Sequence, residues 1–257
     1  MTTSPTGPNG STGPTGHAER AGPAAPGGPL RLVSWNVHDL LGDQLAVTRV
    51  LRSARPDVVC LQEAPRWPGS RWRLAALARG CGLLYLDGGR TGAGTAVLVA
   101  QRVVPAGARA FRLPVRGLRT RPRGAVVAEL VLPGASAGAT PLTVASVHLG
   151  LDPAERAAHV ALIAEKLAGA GDRLVVAGDL NERPDGPSWA ALAGYGLADP
   201  RPGAPPTFPA RTPRSRIDAV LARPGVEVLD DEVWRPDPRD VVLASDHRPV
   251  LALLRVR

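Results

Sequence analysis

The run Leu174-Val175-Val176-Ala177-Gly178-Asp179-Leu180-Asn181 restricts the fold more than any other stretch of the chain. Four apolar residues followed by a glycine describe a buried strand reaching its end. Asp179 and Asn181 sit two apart at that end, and side chains two apart on extended backbone point the same way. A carboxylate and a carboxamide therefore project together from the mouth of a hydrophobic core. Asp can take a proton from water or help hold a cation, and Asn can orient a water or a phosphate oxygen. Asp and Asn also end strands as ordinary turn formers. The choice between these readings rests on how many other strands end in the same way.

Several do. Leu30 to Val37 reads as a first strand with Asn36 inside it. Leu41 to Ala54 reads as a helix stopped by Pro56, and Asp57 to Glu63 as a second strand ending on a carboxylate. The strand-helix-strand order makes these two strands neighbours, so Asn36 and Glu63 lie side by side and can hold a hard cation through oxygen. Arg71 to Arg79 reads as a helix, and Leu83 to Leu86, Thr95 to Ala100, Val103 to Leu113 and Ala125 to Leu132 as strands. Leu142 to Leu149 carries His148 near its end. Pro153 to Ala168 is a helix with proline in its first turn, and Pro187 to Ala193 a short one. Arg216 to Leu221 is a strand with Asp218 among apolar neighbours, where a buried carboxylate requires a partner. Val226 to Trp234 reads as a strand and Arg235 to Asp240 as a turn. Ser245-Asp246-His247 then offers an acid and an imidazole just before the last strand, Val250 to Val256.

The rest of the chain sets bounds. The 257 residues suffice for one large domain, expected over 30–257. Residues 1–29 are Gly, Pro, Ser, Thr and Ala with few large apolar side chains, which predicts a disordered tail. No apolar run approaches a membrane span and no signal-peptide core is evident, so a cytoplasmic location is the expectation; a monomer is assumed, since no feature of the chain sets the oligomeric state. Cys60 and Cys81 lack metal-site spacing. The formal net charge of +8 favours a polyanionic partner. Lys166 is the only lysine, however, and the excess of Arg, Ala, Gly and Pro also fits GC-rich coding. Arg112, Arg116, Arg119, Arg121 and Arg123 crowd one loop, either as phosphate contacts or as a solvated surface. Phe208 lies in a Pro-rich, basic segment, 200–216, where it can stack on a base or anchor packing.

Taken in order, these residues resemble the endonuclease/exonuclease/phosphatase superfamily, whose members include DNase I-like nucleases, abasic endonucleases, sphingomyelinases and inositol-polyphosphate 5-phosphatases. The resemblance is carried by Ser34-Trp35-Asn36, Leu61-Gln62-Glu63, His148, Gly178-Asp179-Leu180-Asn181, Arg216-Ile217-Asp218 and Ser245-Asp246-His247. It implies an α/β, four-layer α/β/β/α sandwich, DNase I-like, with the polar strand ends converging on one edge. It further implies a divalent-metal-dependent phosphoester hydrolase using Mg²⁺ or Mn²⁺, held by Asn36, Glu63 and Asp246. His148, Asp179, Asn181, Asp218 and His247 would be catalytic, and Arg123 and Asn181 would bind substrate; Phe208 is a further substrate-binding candidate from its basic loop alone. A histidine at 148 is more like the DNase I and phosphatase branches than the abasic endonucleases. The expected substrate is nucleic acid; inositol phosphates, phospholipids or another small phosphoester are the alternative, and a non-catalytic nucleic-acid-binding module is a third.

Overall fold

The computed structural model describes Met1 and residues 28–117, 121–136, 138–229 and 234–257. Arg119 and nearly all of the tail expected over 1–29 fall outside that description.

Among the described residues, the elements run in the order β1 (Leu30–Asn36), α1 (Gln44–Ala54), β2 (Val58–Gln62), α2 (Ser70–Gly80), β3 (Leu83–Gly88), β4 (Ala96–Ala100), β5 (Val104–Arg112), β6 (Gly124–Val131), β7 (Leu142–His148), α3 (Pro153–Lys166), β8 (Leu174–Asp179), α4 (Pro187–Gly194), β9 (Asp218–Ala222), β10 (Val226–Leu229), α5 (Pro238–Ala244) and β11 (Val250–Val256). They form two mixed sheets, ordered β10-β11-β1-β2-β4-β3 and β5-β6-β7-β8-β9. Both faces of the inner strands are covered, which is why they read as nearly unbroken apolar runs.

The alternation along each strand builds four layers. Leu32, Val58, Cys60, Val97 and Val99 of the first sheet meet Val126, Val144, Val175, Ala177 and Val220 of the second in a shared core. The alternate residues, such as Trp35, Val59 and Leu61, face α1, α2 and α5. Val147, Leu174 and Val176 face α3 and α4. Burial pushes the Cys60 thiol up to about 12, so it stays protonated as a small apolar filler.

The same alternation carries polar residues to one end of the shared core. Asn36, Gln62, His148, Asp179 and Asp218 continue the inward-facing series of their strands, each at a strand end. The β1/β2 and β7/β8 pairs are parallel, and β9 and β11 run antiparallel to their neighbours. The carboxyl ends of the former and the amino ends of the latter thus share an edge.

Five sequence expectations need correction. The first helix begins at Gln44 rather than Leu41, because Asp43 caps it by accepting from the Leu45 and Ala46 amides at 2.7 and 3.1 Å. Residues 38–40 ahead of it form a tight turn with left-handed backbone. β2 ends at Gln62, and Glu63 leaves the strand with φ of 45°. The strand carrying Asp218 starts at Asp218 itself, not at Arg216. Trp234 is outside β10, and the expected turn over 235–240 gives way to α5, which Asp237 caps and Pro238 opens. No described helix is long and apolar enough to cross a membrane.

Candidate active site

Asp179 occupies the centre of the shared edge and is 1% exposed. Its Oδ2 accepts from Asn36 Nδ2 at 3.0 Å, and its Oδ1 accepts from the Asn181 amide at 2.9 Å. His148 Nε2 lies 3.3 Å from Oδ2 and His247 Nε2 lies 3.8 Å from it. Behind His247, Nδ1 donates to Asp218 at 3.0 and 3.2 Å. Asn36, His148, Asp179, Asn181, Asp218 and His247, drawn from more than two hundred positions of sequence, form one connected network.

Local structure holds each member. Ser245 fixes the start of the last segment: its hydroxyl donates to Asn36 O at 2.6 Å and accepts from the His247 amide at 3.1 Å. The Trp35 indole donates to His247 O at 2.8 Å. Asn181 turns back with φ of 49°, and its side-chain amide donates to Leu149 O at 2.9 Å. One layer deeper, Gln62 Nε2 reaches Ser34 and Ser146 at 3.4 and 3.3 Å, so polar contacts continue beneath the site.

Gly178 allows β7 and β8 to approach here. A Cβ at that position would meet Val147 O at 1.9 Å, backbone that cannot yield without separating the strands. Gly178→Ala is therefore expected to lower stability by about 2–3 kcal/mol and to displace Asp179, measurable as a lower denaturant midpoint.

The electrostatics separate the titrating groups. Burial, then the neighbouring Asp218 charge, raises Asp179 to about 7, although His247, Asn181 and Asn36 oppose the shift. Burial works against a charged His247 ring, but the attraction and hydrogen bond of Asp218, with Asp179 and Asp246 behind them, prevail and raise it to about 9. Burial and the charge of Arg123 drive His148 well below the usual histidine range. A neutral His148 has one N–H. Arg123 Nη1 faces Nδ1 at 3.5 Å, while Nε2 faces both the Asn181 side-chain amide at 3.1 Å and Asp179 Oδ2 at 3.3 Å.

Glu63 joins the network through arginines. Arg123 Nη1 lies 3.4 Å from Oε1, and Arg121 Nη1 lies 3.1 Å from Oε2. Arg121 also pairs with Asp39, whose other oxygen, Oδ1, is buried without a hydrogen-bond partner. Asp246 stands further out, half exposed, with its carboxylate 3.8 Å from His38 Nδ1. Phe208 packs on His247, ring centroids 4.8 Å apart. Asp39 was missed in the sequence. The only signal was its position three residues after Asn36, in a segment assigned to the approach to a helix. His159 is structural: its ring braces Gly150 N and Pro114 O at 3.1 and 2.7 Å.

Two donor groups can be tested for a divalent cation. Ligating atoms of Asp179, Asp218 and His247 lie within 4.8 Å of one another, but His247 Nδ1 and both Asp179 oxygens already have partners. Glu63, Asn36 and Asp246 offer hard oxygens of the kind Mg²⁺ or Mn²⁺ takes, but Glu63 Oε1 and Oε2 face Arg123 and Arg121, and Asn36 Oδ1 accepts from the His38 amide at 3.1 Å. Asp39 Oδ1, buried without a hydrogen-bond partner in the segment whose amide donates to Glu63 O, is the oxygen there that such an ion would satisfy. A cavity of about 550 Å³ lies elsewhere: it opens on the flank between Arg201, Arg216, Trp234, Arg248 and Leu251 and touches the network only at Asp218.

A buried carboxylate between two imidazoles, set at the edge of a four-layer α/β/β/α sandwich, suits hydrolysis of a phosphoester. Over residues 33–247 the chain matches the endonuclease/exonuclease/phosphatase family, and it belongs to that family. Similar solved structures include the endonuclease/exonuclease/phosphatase from Beutenbergia cavernae, with 24% identity, a TM-score of 0.66 and coverage of 89% of this chain and 72% of that one. The endonuclease/exonuclease/phosphatase from Bacteroides vulgatus has 20% identity and a TM-score of 0.71 over 89% and 99% of the chains. The mannosyl-6-phosphatase of Bacteroides thetaiotaomicron has 19% identity and a TM-score of 0.67 over 88% and 99%. A comparison with curated proteins found no match.

Proposed function

We propose that the protein is a divalent-metal-dependent phosphodiesterase that cleaves nucleic acid and acts as a monomer. The observation that carries this is Asp179: a carboxylate raised to about 7, with His247 3.8 Å away and itself raised to about 9. At pH 8 one group is a base and the other an acid, the division of labour that hydrolysis requires.

Asp179 aligns the attacking water and takes its proton. His247, oriented by Asp218, donates from Nε2 to a phosphoryl oxygen. Asn181 steadies the phosphate, and the His148 ring lines the same space, where negative charge develops. Glu63, Asn36 and Asp246 would hold Mg²⁺ or Mn²⁺, which when bound polarises the phosphoryl group and stabilises the leaving oxygen. Arg123, 7% exposed between Glu63 and His148, adds a fixed positive charge on the substrate side. Phe208 shields the His247 ring and lies within reach of a bound base.

The net charge of +8 and the arginines around the cleft support a polyanionic substrate. The expected result is hydrolysis of plasmid or single-stranded DNA or RNA with Mg²⁺ or Mn²⁺, abolished by EDTA and steeply weakened by salt. Full turnover in EDTA would end the metal assignment. Turnover confined to inositol phosphates, sugar phosphates or phospholipids, with little salt dependence, would replace nucleic acid by a small phosphoester.

A further inference from the structure

Beside the cleft lies a surface that the catalytic network does not use. Five tryptophans occur in the chain, and two of them, Trp67 and Trp72, are 63% and 79% exposed. They line one open hollow of about 380 Å³ together with Arg71, Arg90 and Tyr85. The Arg66 guanidinium lies over the Trp67 ring, 5.7 Å from its centroid. Among the described residues, Arg66, Arg71 and Arg90 have no carboxylate in ion-pair contact. Asp87, the one acid lining the hollow, accepts from the Gly88 amide at 2.7 Å.

Backbone contacts link the hollow to the Glu63 segment of the site. Trp67 follows Glu63 by four residues. The Ala64 amide donates to Gly94 O at 2.7 Å, which ties the 89–95 turn against that segment. On its far side the turn meets the arginine-rich loop: Arg112 donates to Arg90 O at 3.4 Å, and a Cβ at Gly124 would meet Gly92 O at 2.2 Å. The two uncovered aromatic faces and their arginines thus sit on segments tied by backbone contacts to Glu63 and to the arginine-rich loop.

We propose that this surface is a stacking platform for single-stranded nucleic acid, extending the nuclease reading above and resting on it. Exposed indoles cost hydration unless something covers them. The ligand that suits alternating indoles and unpaired guanidinium groups is a strand with unpaired bases and phosphates. A duplex offers its bases already stacked on one another, so it can use the arginines but not the tryptophans.

The test is fluorescence anisotropy of a labelled oligothymidylate and of a matched duplex, on the full chain in EDTA so that no cleavage intervenes. The wild type is expected to bind the single strand at least several-fold more tightly than the duplex, with quenching of tryptophan emission. Trp67→Ala and Trp72→Ala are each expected to weaken single-strand binding roughly 5- to 100-fold, the range for loss of one base-aromatic stack. Trp67→Phe and Trp72→Phe should restore most of it, which separates stacking from folding. Equal affinity for both nucleic acids, unchanged in the Ala variants, would overturn the platform; so would binding to anionic phospholipid vesicles without binding to the oligomer. Metal-dependent hydrolysis of bis(p-nitrophenyl) phosphate by the wild type reports separately on the parent reading. If that hydrolysis is present while oligomer binding is flat, only the platform fails; if it is absent, the phosphodiesterase reading fails first.

Discussion

Replacing Asp179 by asparagine is expected to slow metal-dependent phosphodiester hydrolysis by about a thousandfold, within the range for loss of a general base. The substitution keeps the shape of the side chain and removes its capacity to accept a proton. Both carboxylate oxygens are acceptors, one for Asn36 Nδ2 and one for the Asn181 amide. A carboxamide satisfies one of these donors and opposes the other, so a modest local shift adds to the chemical loss. Global stability should not fall with it. A carboxyl whose folded pKa is raised contributes stability that is present below its unfolded pKa and lost as pH rises through about 7. Above pH 7 the wild type therefore carries a buried charge that the variant lacks. The variant should unfold at the same or a higher temperature at pH 8, a trade of stability for function. Initial rates on bis(p-nitrophenyl) phosphate, with thermal unfolding on the same sample, check both parts. A rate within threefold of wild type would remove Asp179 from the mechanism.

His247→Gln is expected to reduce turnover roughly 100- to 1000-fold, as for loss of a well-placed donor to developing charge. Its signature is the pH profile. In the wild type, activity should rise with pH as Asp179 loses its proton near 7 and fall as His247 loses its proton near 9. His148 is held neutral throughout and adds no limb. Glutamine does not titrate, so the alkaline limb should vanish while the acid limb remains. Asp218→Asn should retain the alkaline limb but move it to lower pH, because the Asp218 charge is the leading cause that raises His247. These are macroscopic constants of a linked set, and the acid limb should shift in the same variants, since Asp218 and His247 both act on Asp179. An alkaline limb unchanged in His247→Gln would mean that another group supplies the proton.

Much of the site was legible in the chain because its residues end strands. An apolar strand that stops on Asp179 or His148 advertises the change from core to edge, and motif order then linked Asn36, Asp218 and His247 to the same family. Glu63 was legible by type but not by conformation. Its left-handed backbone and its two arginine partners depend on how the loop at 121–123 returns. Asp39 was not legible at all. It lies in a turn with left-handed residues that no periodicity marks, and its proximity to Glu63 is a long-range contact through Arg121. Trp67 and Trp72 lie where a helix was foreseen or just ahead of it, but exposure is set by what fails to pack on a side chain. The helix at 238–244 was missed, and residues 235–240 were read as a turn, because its cap, Asp237-Pro238, is also turn chemistry.

Alternation of apolar residues, proline and glycine punctuation, and polar strand ends were enough by themselves to mark buried strands that stop on polar residues, because period and burial are local properties of a strand; the two sheets and their common edge were expected only from the resemblance of the motifs to a family. Register and strand order decided the rest. Only the parallel pairing of β7 with β8, and the meeting of β1 with β8 across the core, place His148, Asn36 and His247 around one carboxylate and shift its proton affinity. Proton affinity in a protein interior depends on neighbours that are distant in sequence and on the water they exclude, and neither is written in any single segment of the chain.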